Sequence, residues 1–299
     1  MATFNPGALL VNHQPGPWGE AVPIRYDQRD VLLYAVGVGA SDLRFVYEQH
    51  PQFAVLPTFA IRWGGAGLVI DRSALPQSPG PLTIDAERRI EQLAPLPVPG
   101  SSTVTVQARS RLLAVYPRGK GSAFTEFETE VTDANGQACV LISTGIFQRG
   151  VATIGDIEPF EGCGLSRSAK SSPPERAPDV EVVAAIAANQ AQLYRLSGDY
   201  NPLHIDPEAA RFGGFPAPIL HGLCTYGHCA QMLLGALAGG DPARFAALKA
   251  RFSAPVYPGD ALQVLAWHDG PGRALVEARV ADANGVERTV VNNASFSFQ

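Results

Sequence analysis

The sequence predicts an α+β protein made of two copies of one unit, each a buried helix with several antiparallel strands. Three observations predict it. Gly222 to Leu237 carries apolar residues on nearly every face, which describes a helix buried all round rather than one lying on a surface. From Lys249 to the C-terminus the pattern changes to short apolar runs separated by turn residues. Three short matches also recur in the same order in the two halves. Leu33-Tyr34, followed by Gly37 to Glu48, matches Leu193-Tyr194, followed by Ser197 to Glu208. Val115-Tyr116-Pro117 matches Val256-Tyr257-Pro258, and Val131 to Gly136 (Val-Thr-Asp-Ala-Asn-Gly) matches Val280 to Gly285 (Val-Ala-Asp-Ala-Asn-Gly). Between the halves lies a polar, Pro-rich stretch from Gly162 to Asp179 with no apolar period. The expected organisation is a first domain over 1–161, a linker over 162–179 and a second domain over 180–299.

The second copy predicts its elements in order. Asp179 is a candidate N-cap for a helix carrying Val183, Ile186, Ala187, Gln190, Leu193 and Tyr194 on one face, ended by Ser197-Gly198. Asp206-Pro207 reads as an N-cap with Pro at the first helical position, opening a short helix through Phe212. The buried helix from Gly222 follows. Strands are expected at Leu262–Trp267, Ala274–Val280 and Thr289–Val291, with Asn284-Gly285 as the hairpin turn between the last two.

Composition excludes several classes. The 299 residues are 46% hydrophobic and 17% charged, enough apolar material for a substantial core, so disorder is excluded. The net charge of −5 and the absence of a Lys/Arg cluster argue against nucleic acid as a partner. Lys is scarce, at positions 120, 170 and 249, so Arg carries nearly all the positive charge. The longest uncharged stretch, Phe212 to Gly240, is interrupted by Pro216, Pro218, His221, His228 and Gln231, so no membrane span is expected. No secretory signal or C-terminal targeting sequence is evident, and Cys139, Cys163, Cys224 and Cys229 are too few for a disulfide scaffold. A cytoplasmic protein with reduced thiols is expected. Neither Cys224/Cys229 nor His204, His221 and His228 has metal-site spacing, and no metal is expected.

The chemistry concentrates in Ser197-Gly198-Asp199-Tyr200-Asn201-Pro202-Leu203-His204, a Gly/Pro-broken run between two helices. A carboxylate and an imidazole brought together can hold one water, take its proton and return one elsewhere. Asn201 can steady a polar group by hydrogen bonding. Taken alone, the same run could be an Asx-turn with a solvated or core His204. The repeat bears on this choice: aligning the two Leu-Tyr sites puts Gly39 opposite Asp199, Ser41 opposite Asn201 and Arg44 opposite His204. All three polar groups occur in one copy, as a single active site on a duplicated scaffold would produce. Gly222, at the start of the buried helix, is a candidate oxyanion site, or a Gly needed only for packing. His221 and His228 read as packing or internally satisfied residues. Lys120, Lys249 and Arg251 are candidate phosphate contacts.

The run Tyr194 to Ala209 resembles the signature of the R-specific 2-enoyl-CoA hydratases, also called hydratase 2 or MaoC-like dehydratases. Asp30 to Ala40, Phe45 to Glu48, Val55 to Ala60 and Pro95-Leu96-Pro97 resemble the N-terminal half of that unit in peroxisomal multifunctional enzymes. The resemblance implies a double hotdog fold, each hotdog an antiparallel sheet wrapped around a central helix. It implies Asp199 and His204 as catalytic, Asn201 as the motif amide, Gly222 as the oxyanion residue, and Lys120 and Phe252 as coenzyme A contacts. Asp85-Ala86 stand where the eukaryotic pattern has His-Gly. Glu48 matches a Glu considered functional in the family, and a structural role is an equal reading. The implied activity is reversible hydration of trans-2-enoyl-CoA to (3R)-3-hydroxyacyl-CoA, with no cofactor beyond the coenzyme A of the substrate. The degenerate first copy would shape the acyl pocket, and a homodimer is expected. A hotdog acyl-CoA thioesterase and a non-catalytic acyl-CoA-binding protein are the competing readings.

Overall fold

The computed structural model describes residues 15–68, 78, 83–118, 121–151, 170–281 and 285–299. Lys120, Cys163, Asn284 and the first part of the expected linker lie outside these residues. Among the described residues ten antiparallel strands form one sheet: β1 (Val22–Tyr26), β2 (Thr83–Gln92), β3 (Val104–Pro117), β4 (Ser122–Thr132), β5 (Ala138–Arg149), β6 (Val180–Ala185), β7 (Phe245–Phe252), β8 (Ala261–His268), β9 (Arg273–Ala281) and β10 (Glu287–Phe298). Their spatial order is β1-β3-β4-β5-β2-β7-β10-β9-β8-β6. Each half therefore has the same topology, and the halves meet where β2 pairs β7, with Ile90 opposite Leu248. This is the duplicated sheet that a double hotdog requires.

Five short or long α-helices are described: α1 (Gln28–Gly37), α2 (Leu43–Val46), α3 (Gln190–Tyr194), α4 (Pro207–Phe212) and α5 (Gly222–Ala238). Helix α5 is the predicted buried helix. Cys224 to Ala230 and Met232 to Leu234 are all buried, and it packs on β6, β7, β8 and β10. Tyr226 anchors it to the seam between the halves: its hydroxyl donates to the Leu248 carbonyl and accepts from the Ile90 N–H at 3.1 Å. Asp206 caps α4 by accepting from the Glu208 N–H at 2.8 Å, as expected for Asp-Pro at a helix start.

Three expectations are corrected. The first part of the helix expected from Asp179 is strand β6. Its inward and outward residues alternate, and Val180, Val182 and Val183 are β-branched, which favours a strand on an available edge. Only Gln190–Tyr194 is helical, and Asp179 instead accepts from the His268 N–H beside Arg176. The Val-Tyr-Pro match is not a structural correspondence. Val115–Pro117 ends β3, whereas Val256–Pro258 lies in the β7–β8 loop, whose topological counterpart is Leu96–Gly100. Finally, the first half does not bury a long helix among the described residues. Its core holds the 3-10 segment Pro57–Trp63, opened by Pro57 and closed by Gly64-Gly65. The other two matches hold: Tyr34 of α1 and Tyr194 of α3 are both fully buried with ring centroids 6.3 Å apart, and Val131 and Val280 end equivalent strands.

Candidate active site

The site is built from the α3–α4 connection and the start of α5. A 3-10 turn, Arg195–Ser197, ends at Gly198, whose φ of +114° reverses the chain toward Asp199. Asn201 then accepts from the Leu203 N–H at 3.0 Å and caps the turn Pro202–His204. That turn presents His204, whose Nδ1–H donates to the Ile219 carbonyl at 2.9 Å. A carbonyl can only accept, so the proton sits on Nδ1 and Nε2 keeps its lone pair. His221, the residue before α5, stacks on His204 with ring centroids 3.8 Å apart and donates from Nε2 to the Asp199 carbonyl at 3.2 Å. One ligand atom each from Asp199, His204 and His221 lies within 4.8 Å of the others.

Electrostatics keep both imidazoles neutral. Burial lowers the His204 pKa below its ordinary value, with opposing contributions from the Ile219 hydrogen bond and the nearby Asp199 charge. Burial, followed by repulsion from His204, lowers His221 to about 4. His221 is 1% exposed and its Nδ1 has no partner among the described residues.

The N-terminus of α5 opens onto the same region. The N–H groups of Cys224 and Thr225 donate to the His221 carbonyl at 3.0 and 3.1 Å, while those of Gly222 and Leu223 have no partner among the described residues. The Phe252 ring lies against Gly222, where an added Cβ would sit 3.3 Å from Cε2. A cavity of about 350 Å³ is lined by Asp199, Gly198, Ser197, Tyr194 and Leu223 from the second half and by Arg62 and Trp63 from the first.

The structure thus brings Asp199, His204, Gly222 and Phe252 together. It places Asn201 one step back, on the surface, holding the turn that presents His204. It places Lys249, buried, with Nζ 3.8 Å from Glu87, and Arg251 3.1 Å from the same carboxylate, in an ionic cluster on β2 and β7. Lys120 lies outside the described residues. Glu48 lies with Gln28, Arg29, Leu32, Leu33 and Val36 along an open hollow beside α1, apart from this site. His228 is buried, with Nδ1 donating to Cys224 at 3.0 Å, as its packing role predicts.

Sequence reasoning missed the roles of His221, Arg62 and Trp63. His221 adjoins Gly222, already singled out, so its place at the helix start was a usable signal. Arg62 had a weaker one, a lone charge in the apolar run Pro57–Trp63. A divalent cation would find its donors in Asp199, His204 and His221, one ligand atom from each.

The first copy has a similar turn without its chemistry, one residue out of the expected alignment. Gly39 (φ +75°) takes the left-handed place of Gly198, and Asp42 caps α2 as Asn201 caps Pro202–His204, which puts Ala40 and Phe45 opposite Asp199 and His204. A side chain at Gly39 would collide with the His228 imidazole of α5, and Arg44 is paired with Asp42.

A paired sheet with an Asp/His cluster at the N-terminus of its buried helix defines the class as hotdog proteins of the dehydratase type. The comparisons agree. Residues 24–150 match the MFE-2 hydratase 2 N-terminal domain, and residues 169–292 match the MaoC like domain. The chain is 34% identical to the 3-hydroxyacyl-thioester dehydratase Y of Mycobacterium tuberculosis, covering 91% of this chain and 92% of that protein. It is 32% identical to the peroxisomal enoyl-CoA hydratase 2 of Arabidopsis thaliana, with 94% and 92% covered. A solved MaoC-like dehydratase from Phytophthora capsici superposes with a TM-score of 0.82 at 33% identity, covering 99% of this chain and 98% of that one. The chain spans less than half the length of the peroxisomal multifunctional enzymes type 2 it also matches. It belongs to the MaoC-like dehydratase and hydratase 2 family.

Proposed function

We propose that the protein is a hydro-lyase that reversibly hydrates trans-2-enoyl-CoA to (3R)-3-hydroxyacyl-CoA. The observation that carries this is the convergence of Asp199 and His204 beside the free N–H groups at the start of α5. A water held between the carboxylate and His204 Nε2 gives a proton to the pair as its oxygen bonds to C3. The C2=C3 electron pair shifts toward the thioester carbonyl. The resulting enolate oxygen accepts from the Gly222 and Leu223 N–H groups, with the helix dipole in its favour. The pair then returns one proton to C2 on the same face, because one water held on one side supplies both groups. Removing one donor from such an oxyanion site typically costs about 10²–10³ in rate.

The chemistry calls for no metal or redox cofactor, and coenzyme A enters with the substrate. The names of the mycobacterial and plant relatives, a 3-hydroxyacyl-thioester dehydratase and an enoyl-CoA hydratase, describe this reaction in its two directions. The first domain, 1–161, shapes the acyl pocket and accommodates long, branched or ring-bearing chains, while 180–299 carries the chemistry. We place the protein in the cytoplasm as a homodimer acting in fatty-acid β-oxidation.

The test is a panel of trans-2-enoyl-CoA substrates followed by loss of the conjugated thioester absorbance, with free thiol assayed in parallel. Hydration without thiol release supports the proposal. Thiol release would favour a thioesterase, and binding without either would favour an acyl-CoA-binding protein. A strict preference for the four-carbon substrate would contradict the wide acyl pocket.

A further inference from the structure

We propose that Arg62 makes the acyl pocket selective for 2-enoyl thioesters that carry an oxygen acceptor, above all a carboxylate, on the acyl chain beyond the reacting carbons. This rests on the hydratase reading of the site.

Arg62 sits in the 3-10 segment of the first half and lines the same cavity as Asp199. Its guanidinium lies over the Phe59 ring at 4.3 Å and near the Tyr34 ring at 5.5 Å. Nε donates to the Phe59 carbonyl at 3.2 Å, and Nη1 donates to the Ser197 carbonyl. Both acceptors are neutral, and neither occupies Nη2. Among the described residues no carboxylate lies within 4.0 Å, although the chain pairs Arg44, Arg88, Arg111 and Arg288 with Asp or Glu. Burial is the largest influence on its pKa and disfavours the charge, with Tyr194, Tyr34 and Asp30 acting the other way. A guanidinium still remains protonated at neutral pH.

A partly desolvated cation without a counter-ion costs stability unless something binds it. Of the other walls, Trp63, Tyr194 and Leu223 offer an acyl chain apolar contact, and the one carboxylate among the lining residues is Asp199 of the reacting pair. Arg62 and Trp63 line the same cavity as Asp199, and Gly222 with Phe252 packed on it is not among the lining residues. An acyl group held with its reacting carbons at Asp199 therefore shares this cavity with a planar donor that has a free edge, a geometry that recognises carboxylate. A hydroxyl or ketone offers a weaker acceptor at the same point.

Three enoyl-CoA series of matched length test this, ending in methyl, hydroxyl or carboxylate. In the wild type, kcat/KM is expected to favour the carboxylate over the methyl series by about 10- to 100-fold at the best length, the effect of one charge-assisted contact. The hydroxyl series should fall between. In Arg62→Met the ratio between carboxylate and methyl substrates should collapse or invert. In Arg62→Lys, which keeps charge but not the fork, it should be intermediate. Equal turnover of carboxylate and methyl substrates by the wild type overturns the proposal. So does a fall in both by the same factor in Arg62→Met, since that identifies Arg62 as a support for the Ser197 carbonyl alone. Calorimetric binding of the corresponding saturated acyl-CoAs separates this inference from the hydratase reading. A carboxylate preference in binding without hydration sustains Arg62 and defeats the activity; hydration with no such preference does the reverse.

Discussion

At the scale of single residues, Asp199 and His204 carry the account. Asp199→Asn and His204→Gln should fold but lose hydratase turnover by about 10²–10⁴-fold, the range of an acid–base contribution. Steady-state kinetics beside a circular dichroism spectrum checks this. Burial lowers the pKa of His204, so the neutral imidazole prevails at neutral pH, and the acid limb of kcat/KM should lie below 6.5. A limb above 6.5 would contradict that environment. His221 gives the matching stability effect. Its folded pKa of about 4 lies below the ordinary 6.5, so the unfolded chain binds more protons between those values. The stabilisation is present above pH 6.5 and is lost progressively as the pH falls toward 4. Thermal melts should show Tm falling through this window, more steeply in the wild type than in His221→Asn. The motif residues were legible because a carboxylate, an amide and an imidazole crowd one broken segment. The difference between Asn201 and His221 was not. Which side chain turns toward a backbone N–H and which stacks on its neighbour is set by packing between segments far apart in the chain.

At the scale of elements, α5 determines the site, because His221 before it bonds the Asp199 carbonyl and Leu223 of its first turn lines the same cavity as Asp199. Its close seat against the first half is checked by Gly227→Ala. An added Cβ would meet the Val38 side chain at less than 3 Å, a contact that has to be relieved by displacing α1 or α5. A loss of about 1–3 kcal/mol is expected, measured by urea unfolding. Helix α5 was readable because no solvent face interrupts its apolar residues. Strand β6 was misread because Val183, Ile186 and Gln190 also satisfy a helical spacing. The alternation over Val180–Ala185 is short, and its decisive partner, β8, is distant in sequence. The same limit explains Val-Tyr-Pro: a three-residue identity carries no register, whereas Val131 and Val280 lie at the ends of strands that fix theirs.

At the scale of the whole molecule, one sheet runs through both copies, so each half supplies the neighbour that the other needs. Ile90 faces Leu248 at the seam, Gln190 donates to the Gly37 carbonyl at 2.7 Å, and Tyr34 packs against Tyr194. Glu87 of β2 joins Lys249 and Arg251 of β7 across this boundary. Replacing it by Gln leaves buried positive charge without that partner. Glu87→Leu or Glu87→Gln should cost about 3 kcal/mol and lower the urea midpoint within a single transition. Two separate transitions would show that the halves unfold independently. The duplication was legible in the two Leu-Tyr sites and the repeated Asn-Gly turns. A part for the first copy in the pocket was expected from its degeneracy, but Arg62 and Trp63 as the residues that line it were not, because they belong to the copy without the Asp/Asn/His run.

The most direct measurement is the stereochemistry of the product. Wild-type protein and Asp199→Asn are incubated with a trans-2-enoyl-CoA, and the 3-hydroxyacyl product is resolved on a chiral column. The account predicts the 3R isomer from the wild type and almost none from the variant. A 3S product, or equal 3R formation by both proteins, would contradict it.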